Sequence, residues 1–238
     1  NMDKAVNMGI SEVKLKQYEG EAFFQRASCY ARLVTYFGDV IYVTEVVDID
    51  KAFTLGRTAK SEIVPKIYED YDKAIENLPE KYSGLSSQRA TKGAALALKA
   101  RFALYMGDWD IVADATKKCM DLGIYKLHKD YSDLFLSTTK NSEESIFLLP
   151  RSIEYKVTLG NWTVMNEVSR NPGGWGAFAP SWDLLAAYTC TDGLPIDESP
   201  LFDPHNPFKN RDPRCTATIV EFGTRHLGFE YNPHPDAV

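Results

Sequence analysis

Apolar residues recur at helical spacing through the first half of the chain and lose that rhythm in the second. Between Glu12 and Phe37, the residues Phe23, Ala27, Tyr30, Val34 and Phe37 fall in steps of four and three, one apolar stripe on a long helix that Gly38-Asp39 ends. The β-branched run 40–47 reads as an extended connection rather than a sheet strand. Ser61 is placed to cap a second helix over 62–78, with Glu62 at its positive end and Pro65 in its first turn. Ile67, Tyr71 and Ala74 form the buried face of that helix, and Pro79 stops it. The third helix, Lys92–Met106, carries Ala94, Ala95, Ala97, Ala100 and Ala103, small enough to let a neighbour approach closely. Gly107-Asp108-Trp109 turns the chain into a fourth helix over 110–122, with Val112, Thr116 and Cys119 along one face and Gly123 closing it. Trp109 reads as a structural part of that turn.

The second and fourth helices match: Ile67, Tyr71, Ala74 and Val112, Thr116, Cys119 have the same offsets. A Gly-Asp-Trp turn between paired helices is also a feature of tetratricopeptide (TPR) repeats. The pattern reads as two degenerate TPR-like pairs, the first interrupted by an insertion over 39–60, with two generic helical hairpins as the alternative. Beyond residue 124 the character changes. A helical turn is expected at 131–135, a short strand at 145–149, and a glycine-rich loop over 151–176. A short helix over 181–188 follows Pro180, then a Pro/Asn/Asp-rich stretch to Pro213 and a short strand at 216–220. The expected fold is mainly α, with TPR-like helical hairpins over 1–123. A loop-rich region with a few short strands, over 124–238, belongs to the same domain.

Composition narrows the function classes. At 238 residues and 44% hydrophobic content the chain has material for a substantial core. The net charge of −6 is spread over interspersed acids and bases with no Lys/Arg run, which argues against nucleic acid. Cys29, Cys119, Cys190 and Cys215 form no CxxC pair and no metal-ligand spacing with histidine. Cys29 and Cys119 fall on apolar helical faces as buried thiols, while pairing of Cys190 with Cys215 is left open. No apolar run reaches the roughly 20 residues of a membrane helix. The opening residues 1–9 and the closing residues 235–238 read as parts of a longer protein, a signal or lipid anchor being expected ahead of this stretch.

No GxSxG, HExxH or P-loop is present, and His128, His205, His226 and His234 are scattered without partners at motif spacing. No carboxylate pair stands out for glycoside hydrolysis, so the chain is expected not to be an enzyme and to need no cofactor. Glu198, Asp203 and Asp212 lack the alternating-oxygen spacing of a calcium loop, and no metal is assigned. Asn210 to Arg214 reads as a turn held by Arg211 or Arg214 pairing with Asp212 or Asp203.

Five segments carry a family resemblance. They are Gly20-Glu21-Ala22-Phe23-Phe24-Gln25-Arg26-Ala27 with 33–39; Arg89-Ala90-Thr91-Lys92-Gly93-Ala94-Ala95 through Arg101; Asn141-Ser142-Glu143-Glu144-Ser145-Ile146-Phe147; Gly174-Trp175-Gly176-Ala177-Phe178-Ala179-Pro180-Ser181; and Asp203-Pro204 with Asn206-Pro207 and Asn210-Arg211-Asp212-Pro213-Arg214. In this order, over nearly the whole chain, they resemble the SusD/RagB family of nutrient-binding proteins. The chain departs from that pattern at Ile41, usually proline, and at Ser181-Trp182, usually Thr-Gln. The resemblance implies a surface-exposed lipoprotein of the outer membrane, held by a lipid anchor and sitting over a SusC-like TonB-dependent transporter. It implies capture of oligosaccharides or polysaccharides, or of peptides in the RagB branch, with the TPR-like half packing against the partner. A protein-interaction scaffold of the TPR type is the alternative.

Glycan capture calls for flat aromatic faces, against which the C–H patches of a sugar ring stack, with amides and charged groups nearby for the hydroxyls. Trp162, Trp175 and Trp182 lie in the loop-rich half, with Tyr155 and Phe178 nearby and Asn161, Asn166, Arg170 and Asn171 around them. The candidate ligand-binding residues are Trp162, Asn161, Trp175, Phe178 and Trp182. Of these, Phe178 and Trp182 flank Pro180 and suit core packing better than Trp162 and Trp175 do.

Overall fold

The computed structural model describes residues 9–84, 88–136, 138–139, 142–149, 151–152, 154–158, 160–170, 173–226 and 228–232. These form two units, one from residues 1–128 with 141–149 and the other from 129–140 with 150–238.

In the first unit, helix α1 (Glu12–Phe37) breaks at Gly38, whose φ of 67° is strained for a residue with a side chain. Its buried stripe is Phe24, Ala27, Tyr30, Ala31 and Val34. Phe23 is only partly buried and Phe37 is exposed, so the stripe starts one residue over, at Phe24, and ends at Val34, a turn short of the expected end. Cys29 falls off that stripe and is exposed, not buried, whereas Cys119 is buried as expected. The connection after α1 stays extended and is pinned by the Tyr30 hydroxyl, which donates to the Val43 carbonyl (3.0 Å) and accepts from its amide (2.8 Å). It contains a single turn, α2 (Ile49–Ala52).

Helix α3 (Lys60–Asn77) packs Ile63, Ile67, Tyr71 and Ala74 against the α1 stripe. Ser61 does not cap it: the N-cap is Ala59, and Asp39 supplies the acceptor instead, taking the Lys60 amide at 2.8 Å. Pro65 therefore lies in the second turn rather than the first. Helix α4 (Lys92–Met106) is capped by Thr91, whose hydroxyl accepts the Ala94 amide at 3.1 Å, and ends at the left-handed Gly107. Helix α5 (Trp109–Asp121) returns along α4, and Leu96 and Ala100 meet Ala115 and Cys119. Ala115, not Thr116, completes the α5 face; Thr116 is exposed, and so is Trp109, which touches no core. Two helical hairpins, α1 with α3 and α4 with α5, thus stack through the α3–α4 contact.

Polar ties across the stack include three strong side-chain contacts. Arg26 grips the buried Asp70 with Nε at 2.7 Å and Nη2 at 2.6 Å. Lys99 reaches Asp72 at 2.6 Å, and the Tyr68 hydroxyl donates to Asp108 at 2.5 Å. The segment 145–149 is not a strand. Ile146 packs into the helical core instead, and Phe147 meets Phe24 edge-on at 5.2 Å.

In the second unit the regular elements are short. Helices α6 (Tyr131–Leu134), α7 (Asn161–Glu167), α8 (Trp182–Ala187) and α9 (Pro213–Thr218) are followed by the antiparallel pair β1 (Arg225–His226) and β2 (Phe229–Glu230). Two expectations fail here. Residues 151–176 are not loop throughout, since α7 lies within them, and 216–220 is no strand. There the Asp212 carboxylate accepts the Arg214 amide at 2.9 Å and Pro213 opens the helix, a start signal that overrides the β-branched residues after it. The core of this unit is Leu185, Phe208, Cys215 and Ile219. Arg211 is buried and donates to three carbonyls, those of Pro207 (2.8 Å), Leu185 (2.5 Å) and Tyr188 (2.6 Å). It therefore anchors the end of α8 instead of pairing with an acid, and Arg214 alone pairs with Asp212. All four cysteine thiols are free. Among the described residues, no helix is long and apolar enough to cross a membrane.

Candidate ligand-binding site

Among the described residues of the second unit, aromatic side chains gather in two groupings besides the Tyr131–Phe135 pair at α6. The first is built on α7. After that helix the chain doubles back, and the amides of Trp175, Ala177 and Phe178 donate to the carbonyls of Met165 (2.7 Å) and Asn166 (2.9 and 3.0 Å). Gly174 makes the return possible, because a Cβ there would run into the Val168 backbone. The returning strand of chain brings Trp175 beside Trp162, one turn earlier on α7, with ring centroids 4.7 Å apart and planes tilted by 58°. Trp162 keeps 72% of its surface in solvent and Trp175 keeps 41%. Arg170 stands next to the pair, with Nε 3.5 Å from the Trp175 carbonyl. Asn161 opens α7, but its side chain lies outside the described residues, as does Asn171. Tyr155 is exposed on a separate small turn closed by the Ser152–Val157 bridge.

The second place is a cleft of about 700 Å³ whose lining includes Leu185, Phe208, Ile219 and Phe222. Phe178, Trp182, Phe229 and Tyr231 line it as well. Phe222 links several of these rings, edge-on to Trp182 at 6.1 Å and to Phe208 at 5.0 Å, and 6.0 Å from Tyr231. Phe178 (66% exposed) and Trp182 (69% exposed) are therefore not core residues, against the better fit expected for them. Their proximity to the cleft was hidden in the sequence, since other parts of its lining come from residues some fifty positions on. Glu167, Arg170 and Glu230 are the charged groups of the lining. The structure thus brings Trp162 and Trp175 together, and places Phe178 with Trp182, as two aromatic groupings.

Two of the three acids raised as metal candidates have local work. Asp203 accepts the His205 amide (2.9 Å) and the Asn206 side chain (2.6 Å), and Asp212 is held by Arg214. Among the described residues no three His, Cys, Asp or Glu converge as a metal site. What the aromatic groupings offer is adsorption: flat apolar faces with ionic groups beside them.

Comparison with known proteins bears on the whole chain. A SusD-like family model described as starch-binding and associating with the outer membrane matches residues 4–104, and the SusD family model matches residues 143–232. The SusD-like protein P25 of Formosa agariphila is 28% identical over 146 residues, covering 60% of this chain and 27% of P25. The crystal structure of a SusD-like carbohydrate-binding protein from Bacteroides fragilis superposes with a TM-score of 0.85 at 31% identity, covering 96% of this chain and 45% of that one. A second SusD-like protein from the same organism gives a TM-score of 0.76 at 29% identity, covering 90% of this chain and 45% of that one. The chain spans less than half the length of these relatives.

Proposed function

The chain belongs to the SusD/RagB family, and from that premise we propose that it binds oligosaccharides at the cell surface and delivers them to a SusC-like TonB-dependent transporter of the outer membrane. The observation that carries the reading is the solvent-facing Trp162–Trp175 pair, held by backbone hydrogen bonds on a turn that exists only because Gly174 has no side chain. A sugar ring stacks on such a face, and neighbouring polar groups bond its hydroxyls; both contacts form and break without covalent chemistry. The protein on this reading is a surface lipoprotein and not an enzyme. Phe178 and Trp182 offer a second aromatic grouping for the same ligand class.

The experiment is a thermal-shift and calorimetry screen of the chain against an oligosaccharide panel, with a peptide set beside it. We expect saturable glycan binding at micromolar to millimolar affinity. Trp162→Ala and Trp175→Ala should each weaken it by about tenfold, the worth of one aromatic contact, with the melting temperature unchanged. Binding of peptides alone would place the protein in the RagB branch and overturn the glycan reading.

One observation favours a second reading, a TPR-type protein-interaction scaffold. Leu104 and Tyr105 at the end of α4, with Trp109 and Met120 three turns apart along α5, are all exposed. Large apolar residues on an outer helical face suit a protein partner. Loss of a co-purified partner on Trp109→Ala, with no glycan shifting the melting temperature, is the result that reading requires.

A further inference from the structure

The ionic groups of the aromatic cleft are unequal in sign. Two carboxylates, Glu167 and Glu230, belong to its lining, against one guanidinium, Arg170. Among the described residues, neither carboxylate has an ion-pair or side-chain hydrogen-bond partner, which leaves their oxygens available to accept. Among the described residues, Arg170 donates its Nε to the Trp175 carbonyl, and its two terminal nitrogens have no partner there. The aromatic faces are largely open: Trp182 and Phe178 are mostly exposed, although Trp182 meets Phe222 edge-on and Phe222 packs on Phe208. A volume of about 700 Å³ lies within the range of small-molecule sites, roughly 300–1,000 Å³.

From this arrangement we infer that the cleft is a sugar-binding subsite selective for neutral glycans over anionic ones, with Trp182 as its stacking face and Glu167 and Glu230 as hydroxyl acceptors. The inference rests on the glycan-binding reading above and adds to it a second locus and a substrate class. A neutral pyranose presents hydroxyl donors, which two carboxylates accept, and a C–H face, which Trp182 covers. A uronate or sulfated sugar in the same position puts its own charge near two carboxylates, with one guanidinium in partial compensation. The whole chain, at −6, adds to the repulsion at low ionic strength. Like charge also leaves the anionic sugar's acceptor oxygens facing other acceptors, so the penalty is in hydrogen bonding as well as in the field.

The test is calorimetric titration of the 238-residue chain with neutral tetrasaccharides of glucose, mannose, galactose and xylose, beside tetrasaccharides of galacturonate and guluronate. It is run on wild type and on Trp182→Ala, Trp162→Ala and the double variant Glu167→Gln/Glu230→Gln. At least one neutral tetrasaccharide should bind at least fivefold more tightly than either uronate, and Trp182→Ala should weaken it about tenfold. The double glutamine variant should retain the neutral ligand and close most of the gap to the uronates. Circular dichroism melting checks that each variant is folded, and Trp182→Phe, which keeps an aromatic face, should recover most of the binding if Trp182→Ala loses stability. Uronates that bind as well as neutral sugars, or a preference untouched by the glutamines, overturn the inference. Binding that survives Trp182→Ala but not Trp162→Ala overturns the cleft and leaves glycan capture standing on the tryptophan pair. No oligosaccharide bound by folded wild type overturns both.

Discussion

Gly93 sits in the first turn of α4, where an alanine would ordinarily help the helix by roughly 0.5 kcal/mol through its smaller loss of backbone entropy. In this chain the sign should reverse. A Cβ built on Gly93 lies 2.6 Å from Cε2 and Cζ of Tyr125, closer than van der Waals contact allows. The ring cannot stay, and it has several contacts to lose. Its hydroxyl lies 3.5 Å from the Thr91 hydroxyl that caps α4, and the ring packs beside Leu96, Ala115 and Cys119 where α4 and α5 meet. Displacing a half-buried aromatic costs about 1–2 kcal/mol, so Gly93→Ala should be destabilising by about 1 kcal/mol net. For a chain of this size that lowers the melting temperature by roughly 2–4 °C. The assay is a double-mutant cycle by urea or thermal denaturation. With Tyr125→Ala in place the obstruction is gone, and Gly93→Ala should become neutral or stabilising by about 0.5 kcal/mol. An alanine that stabilises the wild type, or that has the same effect with and without Tyr125, would refute the packing argument.

Three further outcomes follow from the same reasoning. Arg26→Ala leaves the buried Asp70 carboxylate without its bidentate partner and should cost about 3 kcal/mol in chemical denaturation, whereas Arg26→Met with Asp70→Leu should recover much of that. Asp212 is held down to about 2 by its hydrogen bonds from Arg214. Its contribution is therefore present above the unfolded carboxylate value of about 3.9 and lost as pH falls through the folded one. Melting temperatures between pH 5 and pH 2 should fall more steeply for wild type than for Asp212→Asn, and parallel curves would count against the pair. Finally, Cys29 is exposed while burial pushes the Cys119 and Cys215 thiols up and Cys190 is also buried, so a thiol reagent should label one cysteine quickly in native protein and four in denaturant.

The helical half was largely legible because its signals are local. The period of α1 and the glycines at Gly38 and Gly107 placed both ends of α1 and the whole of α4. What was missed there depended on a neighbour. Phe24 rather than Phe23, and Ala115 rather than Thr116, face the core because α3 and α4 approach from those sides. Ser61 was a sound cap by composition, but Asp39 reached the end of α3 first from the turn after α1. In the loop-rich half the local signals are weaker and compete. Ile146 and Phe147 have strand composition but are drawn into a helical core, and the Asp212-Pro213 start outweighs the Thr and Ile residues behind it. The tryptophans were legible as candidates because aromatics on a glycine-rich segment are unusual. Their grouping was not, since it depends on a backbone return onto α7 and on cleft lining supplied by residues 229–231.

Glycan capture through exposed aromatics is the central claim, and a parallel calorimetric titration of wild type and Trp162→Ala with the best ligand of the oligosaccharide panel tests it most directly. The account predicts a saturable isotherm for wild type and about tenfold weaker binding for the variant at an unchanged melting temperature. A folded wild type that gives no heat with any oligosaccharide, or a variant that binds as wild type does while Trp175→Ala and Trp182→Ala also leave the isotherm intact, would contradict it.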